Sequence, residues 1–594
     1  MGDLRSIQVA QVYSLSRFLS DKRKPLKLKY FLSLILLLPA LLLLSCNRRP
    51  ENVSGVQFVD AAAEAGVTHL YSAGGKPNTP LSILQTIGHG GAFLDYDGDG
   101  NLDILLVDTR LTLYRGDGHG HFTDVTHETG LDKFKGRFLG CAVADYDNDG
   151  FEDIYISGYR TGLLLHNEPR RPERNSPGGT GATAAAPNPQ RVFCDVTAAA
   201  GLKPQPWGTS CGFVDIDGDG LLDLVVANYV EFGPDPVRYL QLCEPLACPP
   251  QDYNPERPTY YHNLGHGKFK DATRFSGFAT SSGKGLGLAF ADYDQDGKQD
   301  ILFANDEVAG DLFHNNGNNS LENVGVAAGV AFGPEGRPHG GMGADWADYD
   351  GDGKLDAIVT TYSTQPKSLY HNGGHGLFTD VSEVTGIGKV TGPYVAFGVK
   401  WLDYDNDSWP DLMIANGNVD NNIAVMIPDQ RYRQTTQLLR NTGGDSGGKD
   451  ITFADVSALV GKALQKPIVG RGLAIGDFDN DGRIDVLIIE DEGPVLLLHN
   501  AGGHVGNWIG LALVGSGRSN RDALGARVTV EAGGRKLVRE VQVSGSYLSS
   551  SDHRLLVGIG TAARVDKITV RWPDGKEEIL PALDIDRYHT VREK

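Results

Sequence analysis

The sequence predicts an all-β protein: a seven-bladed β-propeller followed by a small β-sandwich-like domain. Three observations predict it. A nine-residue aspartate loop recurs seven times between residues 95 and 485. Each copy lies among about four short strands, the content of one propeller blade. Residues 504–594 keep an alternating strand pattern and lose the loop.

Residues 1–45 are not fold material. "DKRKPLKLK" (21–29) is basic, "YFLSLILLLPALLLLS" (30–45) is apolar, and Cys46 follows. This is the layout of a secretory signal. "LLSC" (43–46) resembles a bacterial lipobox, which implies cleavage before Cys46 and its lipidation; the alternative is an uncleaved anchor, for which about 16 apolar residues are marginal. The expected body is exported and lipid-anchored to a bacterial membrane or cell surface, in the periplasm or extracellular space. Residues 46–57 read as a linker. Residues 46–594 carry 48 Lys/Arg against 73 Asp/Glu, a formal −25. That balance argues against a nucleic-acid partner and suits a collector of cations.

The first loop is "DYDGDGNLD", with Asp95, Asp97, Asp99, Asn101 and Asp103 at positions 1, 3, 5, 7 and 9. The same positions hold Asp145, Asp147, Asp149, Phe151 and Asp153, then Asp215, Asp217, Asp219, Leu221 and Asp223. The fourth and fifth loops supply Asp292, Asp294, Asp296, Lys298 and Asp300, and Asp348, Asp350, Asp352, Lys354 and Asp356. The last two supply Asp403, Asp405, Asp407, Trp409 and Asp411, and Asp477, Asp479, Asp481, Arg483 and Asp485. Four carboxylates and the position-7 carbonyl form an all-oxygen shell suited to Ca²⁺, with Gly at position 6 allowing the tight turn. About seven Ca²⁺ ions are expected, which would bring the net charge to about −11. An EF-hand is excluded, because it needs a carboxylate at position 12. That position is Leu106, Ile156, Val226, Phe303, Val359, Ile414 or Ile488. In the sixth loop Ser408 replaces the glycine, so weaker binding is expected there.

Each loop follows a strand in which Gly stands five residues before the first Asp: Gly90, Gly140, Gly287, Gly343, Gly398 and Gly472, with Ser210 in the third unit. After each loop come an apolar strand such as "ILLV", a strand commonly ending in "HN", and an element of the type "FTDV". The chain leaves the last unit at "LLLHN" (496–500) without its fourth element. A spare one, "FVDAAAEAGV" (58–67), precedes the first unit and can close the ring. Insertions at 168–190, 231–258 and 417–437 are expected to carry recognition. Cys243 and Cys248 are the expected disulfide, in a Pro-rich loop, while Cys141 and Cys211 read as buried free thiols.

The repeats (58–503) resemble the FG-GAP or VCBS repeats of integrin α propellers and of many bacterial surface proteins. In residues 504–594, "LGARVTV", "SGSYLSSSD", "LLVGIG" and "ITVRWPDG" look like the ASPIC/UnbV domain. The combination resembles the cartilage acidic protein-like family. It implies an extracellular calcium-binding protein and supplies no ligand.

The expected function is an adhesion or ligand-binding scaffold for a protein or glycan, with no catalytic residue assigned: P-loop and dinucleotide fingerprint are missing from the sequence. The alternative is an enzyme or maturation factor with a site at the mouth of the propeller channel. His89, Arg137, Trp207, Lys284, His339 and Arg471 are the candidate contacts there. Asp345 and Lys400, on adjacent inner strands, are expected to pair.

Overall fold

The computed structural model describes residues 55–72, 81–170, 190–233, 246–447, 451–503 and 505–594. Cys46, Cys243, the signal sequence and most of the 168–190 insertion lie outside them. Strands pair antiparallel in seven consecutive units. In the first, Gly91–Leu94, Asp103–Val107, Leu111–Gly116 and Phe122–Asp124 lie side by side in chain order. The second differs: one long strand, Asp153–Pro169, fills both middle positions, pairing Phe138–Ala144 with its first half and Arg191–Asp195 with its last. In the seventh, Gly470–Gly476, Asp485–Glu490 and Leu496–Asn500 are completed by Phe58–Asp60, with Phe58 opposite Asn500 and Asp60 opposite Leu498. The spare N-terminal element therefore closes the ring. The first strands of successive units touch one another all the way round, from Gly91–Leu94 back to Gly470–Gly476. The units are the blades of a propeller.

A blade strand is covered on both faces by its neighbours, so it reads as an unbroken apolar run instead of alternating. Asp103–Val107, Asp223–Asn228 and Asp485–Glu490 are buried throughout. Position 2 of the loops supplies rings that pack on the next blade. Tyr293 stacks on Trp346 at 6.3 Å and Tyr349 on Trp401 at 6.2 Å. Cys141 and Cys211 are buried thiols, and Cys248 is disulfide-bonded.

The C-terminal domain builds two sheets on one core. Asn507–Val514 lies between Leu555–Gly560 and Tyr588–Arg592, and Arg527–Ala532 between Arg535–Glu540 and Lys567–Arg571. Ile509, Leu511, Val528, Val557 and Val570 meet between the sheets and continue into the apolar surface of the second and third blades. Ring and domain belong to one compact unit.

The segment 543–552 of this domain runs up the centre of the ring. Ser550 bridges Ala92, and Ser546 bridges Ala344. Leu548 receives the Cys141 amide on its carbonyl and donates its own amide to Ser210 Oγ. At the far end the Tyr547 hydroxyl reaches Ile87 O at 2.9 Å. The channel is thus filled by the protein's own chain.

Candidate metal centres

The seven aspartate loops share one local geometry. The position-6 amide donates to the position-1 carboxylate in every loop, at 2.7–3.1 Å. The position-7 amide donates to position 5 in every loop, at 2.8–3.0 Å. Position 9 accepts the amide that ends the third strand of its own blade, from Gly116 in the first to Asn500 in the seventh. Position 6 has φ between 77° and 99°, a region open to glycine at no steric cost. Ser408 is forced into it at 77°.

These bonds fix each carboxylate and leave particular oxygens over. Buried oxygens without a hydrogen-bond partner include Asp97, Asp147, Asp217, Asp405 and Asp479 Oδ1 at position 3. Asp292, Asp348 and Asp403 Oδ1 at position 1, and Asp153 and Asp300 Oδ2 at position 9, are left in the same way. A buried carboxylate oxygen without a partner costs several kcal/mol unless a cation answers it. Burial, and next the charge of Glu152, push Asp95 up to about 7. Burial and Asp522 push Asp145 to about 8. Such groups stay ionised at neutral pH when a cation neutralises them. The donor set therefore fits a hard divalent ion.

Two groups of residues complete the loops and were legible only as strand endings. The histidine of each "HN" reaches the same centre: His166 Nδ1 lies 3.0 Å from Asp153, His262 3.0 Å from Asp223, and His314 3.2 Å from Asp300. His371 and His499 stand alike beside Asp350 and Asp479. The asparagine beside it ties blades together. Asn372 Nδ2 donates to Leu355 O of its own loop and to Tyr293 O of the preceding blade's loop. Asn167, Asn263, Asn315 and Asn441 do the same, and Asn500 reaches Tyr404 O of the preceding blade. Only repetition of the dipeptide hinted at either role.

The C-terminal domain sits on this loop face through cationic side chains. Arg521 lies 3.5 Å from Asp145, Arg571 donates to Asp292 at 3.3 Å, and Arg554 donates to Asp477 O at 3.1 Å. Arg518 donates to Gly218 O and Arg527 to Gly353 O, and Arg535 stacks 3.7 Å over the Trp409 ring.

The channel-mouth residues need correction, for a physical reason. Arg471 is fully buried, and its guanidinium donates to the carbonyls of Thr86, Gly417, Gly470 and Asn418. Trp207 is fully buried against Tyr159, Tyr229 and Phe232. Lys284 gives its ammonium to Pro250 O at 2.8 Å, and His339 is buried. These four stabilise the mouth. His89 is half-buried between Asp491 and Asp108, and Arg137 is exposed. Asp345 and Lys400 pair at 2.9 Å, and the lysine also donates to Ser544 O of the central segment.

Among the described residues no helix is long and apolar enough to cross a membrane. The FG-GAP-like repeat matches residues 95–156, 247–303, 292–359 and 348–414, and the ASPIC and UnbV family matches 515–594. Cartilage acidic protein 1 of Mus musculus is 24% identical over 515 residues, covering 82% of this chain and 71% of that protein. The Homo sapiens protein is 24% identical over 74% of this chain and 61% of its own length. The solved structure of YCF48 bound to D1 peptide covers 76% of this chain and 97% of that one, at 9% identity and a TM-score of 0.39. The chain is thus an FG-GAP-repeat protein with a C-terminal ASPIC and UnbV domain, homologous to cartilage acidic protein 1.

Proposed function

We propose that this protein is an extracytoplasmic, calcium-stabilised scaffold that binds a protein or glycan partner and performs no catalysis of its own. The observation that carries the reading is the row of buried, unpartnered carboxylate oxygens at one corner of each blade. About seven Ca²⁺ ions held by positions 1, 3, 5, 7 and 9 would answer them. When bound, each ion would supply positive charge at a blade corner and stiffen it. The chain's own residues do the rest. The asparagine clamps pass order from one loop to the next blade, and the arginines hold the C-terminal domain on the loop face. With that face covered, the opposite face and its inserted loops are left for a partner. Lipidation at Cys46 would tether the scaffold to a membrane.

Elemental analysis and thermal melting test the calcium assignment. The purified protein should carry calcium in several-fold molar excess and melt at much lower temperature in EGTA. A metal-free protein whose melting curve ignores both EGTA and added Ca²⁺ would sink it.

A further inference from the structure

The mouth opposite the loop face holds a cavity of about 570 Å³. Its walls are apolar: Ile83 and Ile87, Leu286, Met342 and Phe397 from inner strands and their approaches, and Met426 at the rim. The disulfide-bonded Cys248 stands in one wall. Three carboxylates break the apolar lining: Asp306, Glu307 and Asp420. Asp306 accepts the Tyr229 hydroxyl at 2.6 Å, Glu307 accepts the Gln365 amide at 3.2 Å, and Asp420 accepts the Ala247 backbone amide at 3.1 Å. Neutral groups hold all three, and among the described residues none forms a salt bridge. The nearest ammonium, Lys284, is directed to Pro250 O. Tyr362 lies beside the three, and its phenol is raised first by burial and then by the charges of Asp420, Asp306 and Glu307. At the rim, Val425, Met426 and Ile427 are 75%, 54% and 47% exposed, an apolar lip.

We propose that this cavity is a binding site for a small organic cation with an apolar body, its ammonium seated between Glu307 and Asp420. The volume is that of a small-molecule site, and such sites combine an apolar wall with a few convergent polar groups. Glu307 and Asp420 in an apolar wall select a cation over a neutral or anionic analogue, because an anion would add like charge in a low-dielectric setting. The exposed lip supplies apolar surface for the ligand's body. The proposal rests on the scaffold reading only in taking this face as the binding face.

Calorimetric titration of the calcium-supplemented protein with 4-phenylbutylammonium, 4-phenylbutanol and 4-phenylbutyrate tests it. The ammonium should bind at least tenfold more tightly than the alcohol, and the carboxylate should not bind. Glu307→Gln and Asp420→Asn keep each hydrogen-bond acceptor and remove the charge. Each should weaken the ammonium at least fivefold and leave the alcohol unchanged. Leu286→Trp fills the cavity and should abolish binding of the ammonium and the alcohol alike. Circular dichroism reports whether each variant is folded. Equal affinity for ammonium and alcohol, or no ammonium binding to the folded protein, would overturn the site. A protein that responds to calcium but ignores the ammonium overturns the pocket and leaves the scaffold reading standing.

Discussion

The two ends of the ring are closed by different means. At the loop end, six of the seven aspartate loops touch the C-terminal domain, whose arginines and core strands cover them. At the other end, inserted loops leave a lined cavity with an exposed apolar rim. The first end is dense in charge and pairs it inside the molecule. The second leaves three carboxylates without a salt-bridge partner among the described residues. The difference teaches that abundance of acid at one end does not by itself mark a surface for a partner. Acid answered by the protein's own arginines maintains the architecture, whereas the carboxylates of the proposed cation site stand in an apolar wall without a salt bridge among the described residues.

The largest effect expected at the loop end is metal removal. Each ion held at 100 times its dissociation constant stabilises by about 2.7 kcal/mol, so loss of several should lower the melting temperature by well over 10 °C. Hydrogen exchange should then show the amides of 543–552 losing protection before those of the mouth. Next comes Lys400→Met, which leaves Asp345 buried beside an uncharged neighbour and should cost about 3–5 kcal/mol in urea unfolding. If the pair were merely incidental, the variant would unfold at the wild-type midpoint. Asn372→Ala strips one clamp from two carbonyls, and a loss of about 1–3 kcal/mol is expected. Its calcium affinity should fall as well, since Tyr293 O belongs to the neighbouring loop. The smallest effect is that of Gly100→Ala. No atom lies within 4 Å of the added methyl, so its cost is backbone strain alone at φ 88°, about 1–2 kcal/mol. A larger loss would mean that Gly100 has a contact yet to be identified.

Much of the ring was legible because its signals are local and repeated. Seven loops, their apolar strands and the spare "FVDAAAEAGV" each lie within a few residues and specify pairing by pattern. The central segment was not legible. "SGSYLSSSD" carries no periodicity that names its destination, and the contacts it makes are far away in sequence. Its trace was nonetheless present in the glycines five residues before each loop. A Cβ on Gly90 would sit 1.8 Å from Leu548 O, and one on Gly472 would sit 2.5 Å from Ser549 Oγ. Ser210, the exception, accepts the Leu548 amide. These residues are small because the central segment passes directly beside them. Arg471 and Trp207 misled for a related reason: polar and aromatic residues at a mouth look like contacts until their partners are known. The first blade has Gly116 in place of the asparagine clamp, where a Cβ would meet Leu102 O at 2.1 Å.

Pairing Phe58 with Asn500 and threading 543–552 through the ring also constrains how the protein is made. A ribosome releases Phe58 long before its partner exists. The middle of the ring must wait longer still for the segment that fills it. Until then each finished blade presents bare strand edges and an empty centre, so completion belongs to the full-length chain. Such long-range closure makes for slow folding. A product truncated before residue 543 would lack its central filling however intact its blades.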